Sequence, residues 1–173
     1  MRRLAVIGAG PVGIEAALYG IERGFDVTVY EKGELGAGLL GWGATRFFSP
    51  FGMNVSARMK AALGASAPSD AALLTGPQFV QDVLRNVASR APLQGRVRTH
   101  TQVVSVGRDR MTRRDHPGHP LRRERDFVLL LDGIDGEREV RADVVLDCSG
   151  LGRPTYIGSG GRPALGERAT LPI

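Results

Sequence analysis

Six residues near the start of the chain, Gly8-Ala9-Gly10-Pro11-Val12-Gly13, constrain its fold more than any other feature. They spell G-x-G-x-x-G directly after the apolar run Leu4–Ile7, which predicts a buried parallel strand. The stretch from Pro11 to Arg23 follows with helical spacing of Val12, Ala16, Tyr19 and Arg23, and Pro11 suits a first helical turn. Gly24 ends that helix, and Asp26–Tyr30 (DVTVY), β-branched and aromatic, predicts a second strand. A β-α-β start of this kind requires a right-handed crossover and a parallel pair. Each glycine then has a reason. Gly8 permits the tight turn, Gly10 lets backbone approach a pyrophosphate, and Gly13 lets helix and strand pack closely. The helix N-terminus offers free N–H groups and a positive dipole end to phosphates. Glu31 closes the second strand eighteen residues after Gly13, where an acid accepts from ribose hydroxyls and repels a ribose phosphate. A dinucleotide with free ribose hydroxyls is expected, and FAD and NAD both satisfy that description.

The rest of the chain predicts a mixed architecture. Residues 33–52 are glycine-rich and aromatic, with Trp42, Phe47, Phe48 and Phe51, and suit a long functional loop. Short helical spacing covers Val55–Leu63. A longer helix is expected from Pro77 to about Arg90, with Phe79, Val80, Val83, Leu84 and Val87 as its apolar face. From Arg96 the period drops toward two. Val97 starts one strand, and Gln102–Val106, Phe127–Leu131 and Glu139–Arg141 predict an antiparallel meander over residues 102–141. Val144–Leu146 then returns to a buried strand ending in Asp147-Cys148-Ser149-Gly150. Domain boundaries are expected at 1–150 and at a Gly/Pro-rich tail or hinge, 151–173.

Charge and cysteine content bound the function class. The 173 residues carry a net charge of +5, with Lys+Arg 23 against Asp+Glu 18. A nucleic-acid partner would follow from a basic patch, but seven arginines fall between Arg108 and Arg125 with Asp109, Asp115, Glu124 and Asp126 interleaved. That pattern predicts a solvated loop and no nucleic-acid binding. A single cysteine, Cys148, excludes an internal disulfide and a Cys-x-x-Cys redox pair. No apolar run reaches the length of a membrane span, and the one that follows Arg2-Arg3 stops too early for an export signal, so a cytoplasmic protein without membrane contact is expected. His116 and His119 flank Pro-Gly without carboxylate or thiol support, and no metal site is expected.

The fingerprint, the loop that follows it, the interposed antiparallel strands and the Asp147–Gly150 strand end together resemble the FAD-binding half of the two-dinucleotide-domain flavoproteins. That superfamily includes glutathione-reductase-like enzymes and flavin-containing monooxygenases. Trp42-Gly43-Ala44-Thr45-Arg46-Phe47-Phe48-Ser49-Pro50 is most similar to the monooxygenase-like branch. The resemblance implies an α/β, Rossmann-like three-layer fold with a central parallel sheet and a small antiparallel meander. It implies FAD as cofactor, with NAD(P)H as co-substrate of the complete enzyme. It places the backbone of Gly8, Gly10, Val12 and Gly13 along the pyrophosphate and Glu31 on the adenosine ribose with Lys32 beside it. It also sets Trp42, Thr45 and Arg46 along the ribityl chain and toward the flavin, Val103 at the adenine, and Ser149 and Gly150 close to the cofactor. Catalytic residues are not identified by it. The 173 residues hold one such fingerprint and no second one for the nicotinamide nucleotide. A fragment or one half of a split enzyme is therefore expected, completed by a C-terminal half, a partner subunit or a homodimer. A non-catalytic FAD- or NAD-binding module or assembly subunit is the alternative.

Overall fold

The computed structural model describes residues 1–150, 156–158 and 161–170. Of the expected tail, residues 151–155, 159–160 and 171–173 lie outside the described residues. β1 (Arg3–Ile7), α1 (Pro11–Glu22) and β2 (Asp26–Tyr30) form the expected crossover, and β1 and β2 pair in parallel from Arg3↔Asp26 to Ile7↔Tyr30. The chain then passes through α2 (Ala37–Leu40), α3 (Phe51–Asn54), α4 (Ala57–Leu63), α5 (Gly76–Phe79) and α6 (Arg85–Ala88). Next come β3 (Val97–Arg98), β4 (Thr101–Arg108), α7 (Leu121–Glu124), β5 (Phe127–Gly133), β6 (Gly136–Ala142), β7 (Val144–Asp147) and α8 (Glu167–Thr170). Among the described residues, the parallel sheet runs β3-β2-β1-β7 and the antiparallel sheet runs β4-β5-β6.

Strand alternation explains the three layers. Leu4 and Val6 of β1 and Val27 and Val29 of β2 point to the helical side, where they are buried with Ile14, Ala17 and Leu18 of α1. Ala5 and Ile7 point the other way and pack with Leu129, Leu131 and Ala142 of the meander. The central sheet therefore has apolar residues on both faces, which is why β1 reads as a continuous apolar run. α1 lies close to that sheet because Gly20 has no side chain. A Cβ there would stand 2.5 Å from Leu4 Cδ2. α1 ends in a Schellman motif, with the Phe25 N–H donating to Gly20 O, the Gly24 N–H donating to Ile21 O, and Gly24 at φ +79°.

Three elements differ from the sequence expectation. The helix expected from Pro77 to Arg90 is α5 and α6 joined by a π turn at Val80–Leu84. Its five expected apolar residues are all buried, and a capping box between Thr75 and Gln78 starts it one residue early. Val97 belongs to the parallel sheet, paired with Val29 on the far edge from β7. The glycine-rich loop contains the single turn α2, because Leu35 and Leu39 bury against the core and fold the backbone around them.

An ion network fastens the meander to the first strand. The Arg3 guanidinium reaches Asp126 at 3.0 Å and Asp143 at 3.2 Å, and Arg141 reaches Asp109 at 2.9 Å. The hydrogen bonds from the Arg3 side chain and backbone N–H hold the Asp143 carboxyl down at about 2. A depressed carboxylate stabilises the fold above its ordinary range near 3.8, and that contribution disappears as pH falls toward about 2. Arg3→Ala is expected to flatten the pH dependence of the denaturation midpoint in that window, as measured by urea melts followed by circular dichroism. An unchanged slope would separate Asp143 from acid stability.

Candidate nucleotide-binding site

The carboxyl ends of β1 and β2 meet β4 across a cleft of about 360 Å³, within the size range of small-molecule sites. Gly8, Glu31, Lys32, Val103 and Ser149 all line it, so five expected site residues come together from four separate segments. A bulge after Val103 shapes one wall, since Val103 pairs with Leu131 and Ser105 with Leu130, leaving Val104 as the extra residue. Val104 and Val106 stay exposed and give that wall an apolar face.

The fingerprint glycines divide by what surrounds them. Gly8 sits at φ +96°, and a Cβ on it would lie 2.6 Å from the Cys148 carbonyl oxygen. A Cβ on Gly13 would lie 1.9 Å from the Gly8 carbonyl oxygen. Both are required by the protein's own packing. Gly10 is different. Its backbone is extended, at φ −79° and ψ −176°, a conformation open to any residue, and a Cβ on it would meet no protein atom within 4 Å. Nothing in the fold demands glycine there, and a Cβ would occupy the space in front of the α1 N-terminus. No side chain caps that N-terminus, and Val12 is largely exposed beside it. Uncapped first-turn N–H groups with open space ahead of them are an anion-binding arrangement.

Glu31 has two visible tasks. Its carboxylate accepts from the Ala9 N–H at 2.8 Å and from the Gly33 N–H at 2.9 Å, so it ties the end of β2 to the fingerprint turn. A carboxylate accepts about four hydrogen bonds, which leaves room for ligand hydroxyls. The Gly36 N–H donates to Ala9 O and strengthens the same junction. At the β7 end, Asp147 accepts from both the Ser149 N–H and its hydroxyl, which hold the carboxyl below its ordinary range. Burial pushes the Cys148 thiol up, away from the reactive thiolate, and the charge of Asp147 adds to the effect.

Gly10, Val12, Gly13 and Gly150 are not among the residues that line this cleft, and neither are Trp42, Thr45 and Arg46. Arg46 donates to Leu73 O at 2.6 Å, Thr45 O accepts from the Gly76 N–H, and Trp42 packs on Phe47, which packs on Phe79. That segment is fastened to residues 70–76 instead. Phe51 is buried, whereas Phe48 is fully exposed. Two features escaped the sequence reading. Asp147 was visible as the start of D-x-S-G, whose acid orders the serine behind it. Gly76, whose Cβ would lie 2.1 Å from Leu39 O, was visible only as part of Thr-Gly-Pro.

No protein-family model matches the chain, and no curated protein sequence matches it. Solved structures do. Bacillithiol disulfide reductase Bdr (YpdA) from Bacillus cereus aligns at 20% identity and a TM-score of 0.62, over 84% of this chain and 39% of that one. A steroid monooxygenase bound to NADP aligns at 20% identity and 0.63, over 91% of this chain and 28% of that one. The flavin-dependent halogenase CmlS aligns at 21% identity and 0.58, over 88% of this chain and 30% of that one. The chain thus spans two-fifths or less of each of these structures. Across a disulfide reductase, a monooxygenase bound to NADP and a flavin-dependent halogenase, what this chain shares is the layered α/β fold.

Proposed function

We propose that the chain binds the adenosine diphosphate half of FAD in the cleft between β1, β2 and β4, as the FAD-binding portion of a flavin-dependent NAD(P)H oxidoreductase. The observation that carries this reading is Gly10, a glycine that the protein's own packing does not need, at an uncapped helix N-terminus. The backbone of Gly8, Gly10, Val12 and Gly13 would hold the pyrophosphate, with the α1 dipole opposite its charge. Glu31 would accept from the ribose hydroxyls while keeping its two bonds to Ala9 and Gly33. Lys32, Val103 and the exposed Val104 and Val106 would face the adenine, Ser149 would border the pyrophosphate from β7, and Gly150 would follow it. Trp42, Thr45 and Arg46 would lie further along, toward the flavin. The bound flavin supplies two-electron acceptance of hydride from NAD(P)H; the residues of this chain supply binding, orientation and charge.

Glu31→Ala is expected to weaken ADP binding by roughly 1.5–3 kcal/mol, the scale of charge-assisted hydrogen bonds. Wild-type protein should prefer FAD and ADP to NADP, because the carboxylate repels a ribose phosphate. Equal affinity for NADP in calorimetry would remove that role of Glu31.

A second reading, a FAD- or NAD-binding module without turnover, draws support from the single fingerprint in these 173 residues. Hydride transfer needs the two rings held within about 3–3.5 Å, which takes a second nucleotide site opposite the first. A complete enzyme would then take its nicotinamide site from a C-terminal half or a partner subunit. With saturating FAD, NADPH oxidation by residues 1–173 is expected to match the free-flavin control. Turnover well above it would place a second site within these residues.

A further inference from the structure

The mixed charge of the arginine-rich segment does not survive folding. Two of its acids are paired with other strands, Asp109 with Arg141 and Asp126 with Arg3, while Asp115 accepts from the Thr112 N–H of the loop and keeps its charge. Glu124 is left against Arg110, Arg113, Arg114, Arg123 and Arg125, which are exposed and make no side-chain hydrogen bond or ion pair. The β4–β5 connection is therefore a cationic surface that the sequence order conceals.

The other end of the same small sheet has the opposite sign. Asp132 stands directly across from Glu137, and Glu139 follows on the same outward face. Asp135 lies in the turn between β5 and β6, and all four are exposed. Like charges directly opposite on a sheet are destabilising, and Arg138 alternates onto the other face, across from Leu131. The two ends are separated by the length of β5, about 20 Å for its seven residues, so they cannot neutralise each other within one molecule.

We infer that these two surfaces dock on each other between copies, the arginine loop of one chain on the acidic β5–β6 hairpin of the next. A contact that joins two different surfaces is heterologous and makes rings or open chains. Other polyanions fit less well. The described loop offers no exposed tryptophan, tyrosine or phenylalanine for base stacking or bilayer anchoring, and α7 is one helical turn, too short to enter a DNA groove. Exposed ion pairs are individually weak, so the association depends on concentration and is sensitive to salt. The loop lies toward the Arg3 end of β1, away from the nucleotide cleft, whereas the acidic hairpin adjoins the cleft end of β4, where Asp132 pairs with Gln102.

Analytical ultracentrifugation of the full chain tests this, at about 0.01 M salt, where screening extends ~30 Å, and at about 1 M, where it extends ~3 Å. The weight-average mass should rise with concentration at low salt and fall to the monomer at high salt. R110S/R113S/R114S and D132N/E137Q/E139Q should each weaken association tenfold or more with melting curves retained. Mixing the two variants should restore a dimer through the one intact surface on each. A monomer at every concentration in low salt overturns the inference, as does association that persists with both ends neutralised. So does binding of polyglutamate or duplex DNA by a chain that stays monomeric.

Discussion

Gly10→Ala is expected to leave stability nearly unchanged and to reduce ADP and FAD affinity at least tenfold, about 1.4 kcal/mol. The two halves of that result have separate causes. Gly10 precedes α1 in an extended conformation that alanine adopts, and no protein atom lies within 4 Å of the added Cβ. Alanine is a poorer N-cap than glycine by roughly 0.5–1 kcal/mol, and the smaller conformational entropy of its unfolded chain offsets that by a similar amount. The added methyl therefore acts on whatever approaches the helix N-terminus from outside. A melt and a calorimetric titration of the same preparation read the two effects side by side. Loss of stability together with affinity would show that the fold itself requires this glycine.

Gly13→Ala should do the reverse of what Gly10→Ala does to the fold. The added Cβ would stand 1.9 Å from the Gly8 carbonyl oxygen, and both partners are backbone, so neither can rotate away. Relief requires α1 to shift off β1, opening the contact that buries Ile14 and Ala17. A cost of about 3 kcal/mol or more is expected, in the upper part of the range for single substitutions. For a chain of this size that lowers the melting temperature by roughly 6–12 °C. A variant that melts within a degree of wild type would mean that helix and strand are held further apart than described.

The contrast between these two glycines also marks what the sequence could and could not disclose. G-x-G-x-x-G between an apolar strand and a helix locates the turn, and Glu31 follows from the end of DVTVY. Local pattern suffices for both because β1, α1 and β2 are contiguous. The β-meander is legible from its period of two, whereas the place of β3 in the parallel sheet is not. Its two residues carry no periodicity, and only the backbone pairing with Val29 and Tyr30 assigns them. The π turn at Val80–Leu84 leaves the apolar face of the helix intact and so has no signature in the spacing. Glu31 is expected on a ribose, and its bond to Ala9 is invisible in the sequence because it joins segments that only the fold brings together. Charge misled for a similar reason. Interleaved acids in 108–126 look self-neutralising in order of sequence, yet Asp109 and Asp126 are spent on Arg141 and Arg3 from other strands.

Binding at the mouth of α1, between β1 and β2, is the central claim, and ADP isolates that site from every contact a flavin ring would add. Calorimetric titration of residues 1–173 with ADP, followed by FAD competition, measures it directly. One ADP per chain, displaced by FAD and lost in Gly10→Ala with the melting temperature retained, is the predicted result. No heat of binding from either nucleotide, or FAD binding that ADP fails to displace, would contradict it.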